Sequence, residues 1–186
     1  MSDVAGRAAP VGLVLAAGEG RRFGGPKAPV VVDGERLVDR AVRVLREGGC
    51  SPVYVVLGAW LGDVPDAVTV TNPDWAEGMG TSLRAGLSAV DADLDVDRVV
   101  VTLVDLPGLT GEVVSRLAAT PARIAQASYD GERGHPVMLG SEHIDGVVAA
   151  AHGDRGARDY LRAHAEEIVL VEVGDIASGE DLDVPL

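Results

Sequence analysis

Apolar residues along this chain form two kinds of pattern, short continuous runs and helical stripes, and the two alternate. Strand-like runs occupy Val11–Leu15, Val53–Leu57, Val68–Thr71, Arg98–Val104, Ile124–Ser128, Pro136–Leu139 and Ile168–Val173. In Leu37–Arg46 the positions Leu37, Val38, Ala41, Val42 and Leu45 make one helical stripe, Arg40, Arg43 and Arg46 are left facing water, and Gly48 and Gly49 stop the helix. Thr81 or Ser82 is placed to cap a second helix through Leu83, Leu87 and Val90, and Thr110 a third through Val113, Val114 and Leu117. Ser141 opens a fourth helix carrying Ile144, Val147 and Val148, and Ala157–His164 supplies a fifth.

The runs Val53–Leu57 and Val99–Val104 are apolar at successive positions, so both of their faces must be covered, as in the central strands of a parallel sheet. One antiparallel exception is expected, because Tyr129–His135 joins two short strands through turn-forming residues. Alternating strands and helices predict a three-layer α/β fold with a mostly parallel, mixed sheet.

At 186 residues and 47% hydrophobic, the chain suffices for one well-buried domain, and residues 1–186 are expected to form a single one. Sixteen basic residues against 29 acidic ones give a net charge of −13, the wrong sign for a nucleic-acid or anionic-membrane partner. Phosphate binding must therefore be local. Cys50 has no partner for an internal disulfide, which suits a reducing cytoplasm. Arg7 followed by apolar Val11–Ala17 imitates a signal peptide, but Gly12 interrupts the run, and no other run approaches membrane-spanning length.

The candidate chemistry begins where the first strand ends, at Leu15-Ala16-Ala17-Gly18-Glu19-Gly20-Arg21-Arg22-Phe23-Gly24-Gly25-Pro26-Lys27. Glycines there permit positive φ and bring backbone N–H groups close to a ligand, and Arg22 and Lys27 add charge suited to a polyphosphate. Gly18, Gly20 and Gly24 are spaced one residue too widely for the dinucleotide fingerprint. A Walker A loop fails because Pro26 precedes Lys27 and Ala28 replaces the hydroxyl.

What the segment resembles is the signature loop of nucleotidyltransferases similar to the molybdenum cofactor guanylyl- and cytidylyltransferases, L-A-[AG]-G-x-[GS]-x-R-[MF]-G-x-x-K. Leu15, Ala16, Ala17, Gly18, Gly20, Arg22, Phe23, Gly24 and Lys27 fit it. The resemblance implies a three-layer α/β/α Rossmann-like nucleotidyltransferase fold and an Mg²⁺-dependent reaction. Val104-Asp105-Leu106-Pro107, a carboxylate at the end of the strongest central strand, suits Mg²⁺ on its own chemistry and matches the family's D-x-P metal element. The other reading of Asp105 is a turn or cap for the next helix.

Asn72-Pro73-Asp74-Trp75-Ala76-Glu77-Gly78-Met79-Gly80-Thr81-Ser82-Leu83 resembles a segment of the cytidylyltransferase branch. Asn72, Gly78 and Ser82 are carried over as nucleotide-binding residues, with Asn72 or Ser82 able to read a base edge, and Trp75 stays open between lid and packing roles. Arg133-Gly134-His135-Pro136 resembles the family's R-G-H-P segment near the acceptor, and Gly153-Asp154-Arg155-Gly156-Ala157-Arg158 its G-D-x-G-A-R segment. Arg133, His135 and Arg158 are thereby acceptor-binding candidates, each alternatively structural. His143, His152 and His164 share no ligand spacing, which argues against zinc.

The family's D-x-D-T-P element, source of its second metal carboxylate, aligns with Asp181-Leu182-Asp183-Val184-Pro185 and designates Asp183. Val184 replaces the family's Thr, and the short Glu-Asp-Leu helix start that follows in the family is missing because the sequence stops at Leu186, which leaves the rigidity of Asp183 open.

Together these residues imply attack by an acceptor phosphate oxygen on the α-phosphorus of a nucleoside triphosphate. Arg22, Lys27 and Asp105 are the catalytic candidates. Leu15, Ala16, Ala17, Gly18, Gly20, Arg22, Lys27, Asn72, Gly78, Ser82 and Asp105 form the nucleotide site, and Asp105 and Asp183 the metal pair. Ala17 in place of a second glycine resembles the cytidylyl branch, so CTP and molybdopterin are the first choice of substrates. Guanylyl transfer, a phospholactate or methylerythritol phosphate acceptor, and a non-catalytic nucleotide-binding module are the alternatives.

Overall fold

The computed structural model describes residues 8–93 and 95–183. Strands β1 (Val11–Leu15), β4 (Val53–Leu57), β5 (Val68–Thr71), β6 (Arg98–Leu103), β7 (Ile124–Tyr129), β8 (Glu132–Gly140) and β9 (Ile168–Glu172) build one seven-stranded sheet in the order β5-β4-β1-β6-β8-β7-β9. Strand β8 runs antiparallel to both its neighbours, and the other pairings are parallel. A small separate hairpin joins β2 (Val31–Val32) to β3 (Glu35–Arg36).

Helices cover both faces, as the continuous apolar runs require. On one face α1 (Leu37–Glu47) and α3 (Gly111–Ala119) pack Val38, Leu45, Val114 and Leu117 against Val14, Val55 and Val100. On the other, α2 (Met79–Asp93), α4 (Ser141–Ala150) and α5 (Arg158–Ala163) meet Leu13, Val56, Val99 and Val101. Alternate residues of one strand thus feed different cores, since successive strand side chains point to opposite faces.

Several expected boundaries move, each for a local reason. The hairpin turn is only Asp130-Gly131, both at positive φ (53° and 86°), so Glu132–His135, expected in the connection, belong to β8. The same two-residue chemistry at Asp33-Gly34 makes the β2–β3 hairpin, whose two-residue strands are too short to show as apolar runs. Val104 and Val173 fall just beyond their strands, although their N–H groups still donate to the Leu15 and Ser128 carbonyls at 3.1 and 2.8 Å.

Neither Thr81 nor Ser82 caps α2, which starts at Met79, and the Thr81 hydroxyl lies against the Gly78 and Asp74 carbonyls at 2.9 and 3.0 Å. Thr110 occupies the N-cap position of α3 with extended backbone, yet its buried Oγ1 makes no hydrogen bond. Arg40 is half-buried rather than turned to water. The Val11–Ala17 run is the buried central strand β1 and its continuation, while Arg7 lies outside the described residues.

Because β1, β4, β5, β6, β7 and β9 point the same way, their carboxyl ends share one edge of the sheet. The chain order reverses at the β1–β6 boundary, where the connections diverge to opposite sides and open a crevice.

Candidate active site

The glycine loop leaves β1 directly into that crevice. Gly20 sits at φ 60° and its carbonyl accepts from the Gly24 and Gly25 amides at 2.8 and 3.2 Å, which folds the loop back on itself. A Cβ at Gly20 would stand 2.0 Å from the Gly25 carbonyl oxygen, so only glycine fits. At Gly18 a Cβ would meet no protein atom within 4 Å, because the position faces the open cavity. Among the described residues, the amides of Gly18, Glu19 and Gly20 bond no backbone acceptor and stay available to an anion.

Across the crevice, Asp105 follows β6. Its Oδ2 accepts from Lys27 Nζ at 2.7 Å, a contact between residues 78 positions apart, while its buried Oδ1 has no hydrogen-bond partner. Lys27 Nζ lies 3.6 Å from Asp183 Oδ1, and Arg22 lies 3.8 Å from Asp183 Oδ2. Asp183 arrives because β9 delivers the tail to the carboxyl edge, where Leu182 enters an apolar cluster with Val32 and Leu37 and its N–H donates to the Asp105 carbonyl at 2.9 Å. The residue before Asp183 is therefore anchored by packing and a backbone bond, whereas Val184 and Pro185 lie outside the described residues.

These donors fit a hard divalent cation. Asp105 offers an unused, buried carboxylate oxygen, Asp183 faces it across one ammonium, and Mg²⁺ takes one or two carboxylates with phosphate oxygens and waters completing its shell. Among the described residues, no group of three or more His, Cys, Asp or Glu side chains is arranged around a common metal position.

A cavity of about 580 Å³ takes in Leu15, Ala16, Ala17, Gly18, Gly20, Arg22, Lys27, Gly78, Ser82, Asp105 and Asp183. Asn72 is the exception among the nucleotide candidates. It is buried, its amide donates to Thr81 and Ser82 at 2.9 and 3.0 Å, and its Oδ1 accepts from the Asp74 N–H. Asn72 thus orients Ser82 from behind instead of reading a base edge. Trp75, left open by the sequence, lines this cavity and packs over Gly58.

A second cavity of about 770 Å³ adjoins the first and holds Arg133, His135 and Arg158. Arg22, Met79 and Asp154 line both. Among the described residues Arg133 and Arg158 have no ion-pair partner, which leaves two guanidinium groups facing an open cavity in an acidic protein. Burial pushes the His135 imidazole below its ordinary value, with Asp105 acting weakly in the opposite direction. Burial also raises the Asp181 carboxyl, reinforced by Asp105 and Asp183 nearby.

The MobA-like NTP transferase domain matches residues 12–168, a span that contains the glycine loop, Asp105 and the β7–β8 hairpin. The chain belongs to this family. It is accordingly a nucleotidyltransferase. A nicotine blue oxidoreductase of Paenarthrobacter nicotinovorans is 37% identical, covering 92% of this chain and 91% of that protein. A molybdenum cofactor guanylyltransferase of Rhizobium johnstonii is 36% identical over 82% of this chain and 75% of its own length. The crystal structure of a Mycobacterium tuberculosis Rv0371c homologue from Mycobacterium sp. strain JC1 superposes with a TM-score of 0.73 at 28% identity, covering 94% and 90% of the two chains.

Within this MobA-like site, sequence reasoning overlooked Asp154, Gln126 and Asp181. Gln126 carried a usable signal, a polar residue inside an apolar strand run, and its amide donates to the Gly134 carbonyl at 3.2 Å beneath His135. Asp154 and Asp181 stood inside quoted motifs, but nothing local marks them as cavity-lining. His143 and His164, which share no ligand spacing, have ring centroids 5.9 Å apart beside Tyr160, with His143 Nδ1 2.9 Å from the Tyr160 hydroxyl. That is an aromatic packing cluster.

Proposed function

We propose that this protein transfers a nucleoside monophosphate from a nucleoside triphosphate, CTP by preference, to a phosphate oxygen of molybdopterin, as a single domain acting in the cytoplasm. The observation that carries the reading is Lys27 held between Asp105 and Asp183 in the first cavity, beside Arg22, which lines both cavities. In the reaction an acceptor phosphate oxygen forms a bond to the α-phosphorus, the bond from that phosphorus to the α–β bridging oxygen breaks, and pyrophosphate leaves with the electron pair. No protein nucleophile is required, so catalysis rests on positioning and charge neutralisation.

The loop amides and Arg22 hold the β- and γ-phosphates. Lys27 neutralises charge building on the α-phosphate, and Arg133 and Arg158 bring up the acceptor phosphate. Mg²⁺, bound by Asp105 and Asp183, would supply Lewis-acid neutralisation of the phosphate oxygens. Among the described residues no helix is long and apolar enough to cross a membrane.

Ala17, buried at the edge of the nucleotide cavity, supports CTP because alanine in place of a second glycine resembles the cytidylyl branch. The guanylyltransferase relative makes GTP the rival donor. Thermal shifts with CTP, GTP, ATP and UTP, with and without Mg²⁺, on the wild type and Asp105→Asn separate them, since a ligand of the native state raises apparent stability. Mg²⁺-dependent stabilisation by CTP that vanishes in Asp105→Asn is expected. A preference for GTP moves the assignment to guanylyl transfer, and no nucleotide response refutes the loop's assignment.

A second reading follows from the relative named as an oxidoreductase. It requires a redox cofactor in place of the triphosphate, so oxidation of a reduced nicotinamide or flavin by this protein, without pyrophosphate release from any nucleotide, would establish it.

A further inference from the structure

We infer that Lys27 occupies the cation position between Asp105 and Asp183 and closes it to a free divalent ion, so that metal and nucleotide enter together; this rests on the proposed metal-binding role of the two carboxylates. The Lys27 side chain is only 14% exposed, with Nζ at 2.7 Å from Asp105 and 3.6 Å from Asp183. An ammonium offers donors and a positive charge but no lone pair, so it satisfies the two carboxylates without sharing them with a second cation. A divalent ion arriving alone would have to displace it and then sit beside it. At close range in a partly buried site, that repulsion outweighs what the exposed Asp183 can return.

A triphosphate changes the balance because it gives the ammonium somewhere to go. Lys27 runs beneath the loop, its Cγ close to Gly20, and the unbonded amides of Gly18, Glu19 and Gly20 mark the adjoining anion position. A small swing of the side chain carries the charge from the carboxylates to the phosphates and frees Asp105 Oδ2, the oxygen it holds at 2.7 Å, beside Oδ1, which has no partner of its own. Lys27 therefore acts twice, first as an internal counter-ion and then at the α-phosphate.

The test is Mn²⁺ binding followed by electron paramagnetic resonance, without nucleotide and with CTP or GTP. Wild type should bind Mn²⁺ weakly alone and more tightly with nucleotide. Lys27→Met should bind Mn²⁺ without nucleotide at least about tenfold more tightly than wild type, a gain that adding Asp105→Asn abolishes. Lys27→Gln repeats the test should the methionine variant fold poorly. Arg21→Met, which removes the same charge from the exposed rim where Arg21 pairs with Glu19, should leave affinity unchanged. Equal Mn²⁺ affinity of wild type and both Lys27 variants, with nucleotide still tightening the wild type, would overturn the closure while preserving the metal site. An absence of Mn²⁺ binding in every variant, with or without nucleotide, would overturn both.

Discussion

Gly18 and Gly20 lie two residues apart in one loop, and the structure assigns them opposite reasons for being glycine. At Gly20 the constraint is internal. A methyl group there would stand 2.0 Å from the Gly25 carbonyl oxygen, at a φ of 60° that L-residues avoid, so the Gly25 peptide must move and the bonds from the Gly24 and Gly25 amides must break. The left-handed backbone costs about 1 kcal/mol and the two hydrogen bonds about 1 kcal/mol each, roughly 3 kcal/mol in total, or about a hundredfold in the population of the competent loop. At Gly18 a methyl group meets nothing in the protein, so the only thing it can crowd is a ligand.

The pair therefore separates a folding constraint from a binding one. Nucleotide affinity by calorimetry and loop hydrogen exchange in the free protein are the two readouts. Gly20→Ala should weaken nucleotide binding about a hundredfold and speed exchange of the Gly24 and Gly25 amides before any ligand is added. Gly18→Ala should leave exchange and unfolding temperature unchanged and still weaken nucleotide binding. Nucleotide affinity that survives Gly18→Ala would mean that no phosphate approaches the loop amides, and unaltered exchange in Gly20→Ala would refute the steric reasoning itself.

Leu182→Ala removes the apolar anchor of the tail at a cost of about 2 kcal/mol, so exchange of the Leu182 amide should accelerate and Mn²⁺–nucleotide affinity fall, while unchanged values would show that the tail is held by other contacts. Glu172 accepts bonds from the Gly174 amide, the Ser128 hydroxyl and the Asp130 and Gly131 amides, which bring its carboxyl from 4.5 down to about 2. Its contribution to stability is thus present above pH 4.5 and lost as the pH falls toward 2; Glu172→Gln should flatten the acid limb of thermal unfolding, and an identical limb would refute that role. Arg133→Ala and Arg158→Ala should each raise KM for the phosphorylated acceptor roughly tenfold or more without changing nucleotide affinity. Lys27→Ala should depress kcat far more than nucleotide affinity, and equal losses would reduce it to a binding residue.

The amino-acid sequence by itself determined the strands, the alternation of layers and the glycine loop, because each is written in neighbouring residues. A run such as Val53–Leu57 can only be a strand covered on both faces, and one residue too many between Gly20 and Gly24 excludes the dinucleotide fingerprint without reference to anything distant. Asp105 was legible for the same reason, standing where an apolar run ends. Tertiary structure decided what depends on contacts between remote segments. It turned Asn72 inward onto Thr81 and Ser82, a choice made by burial of the loop rather than by its composition. It lengthened β8 to carry Arg133 and His135, since the Asp130-Gly131 turn closes only when the two strands are in register. It also brought Lys27, Asp105 and Asp183 to one point. That meeting rests on β1 and β6 being neighbours, on β9 running parallel to β7, and on Leu182 finding an apolar cluster among residues far earlier in the chain, and no local pattern can state such a coincidence because its energy is gained only when the whole sheet is assembled.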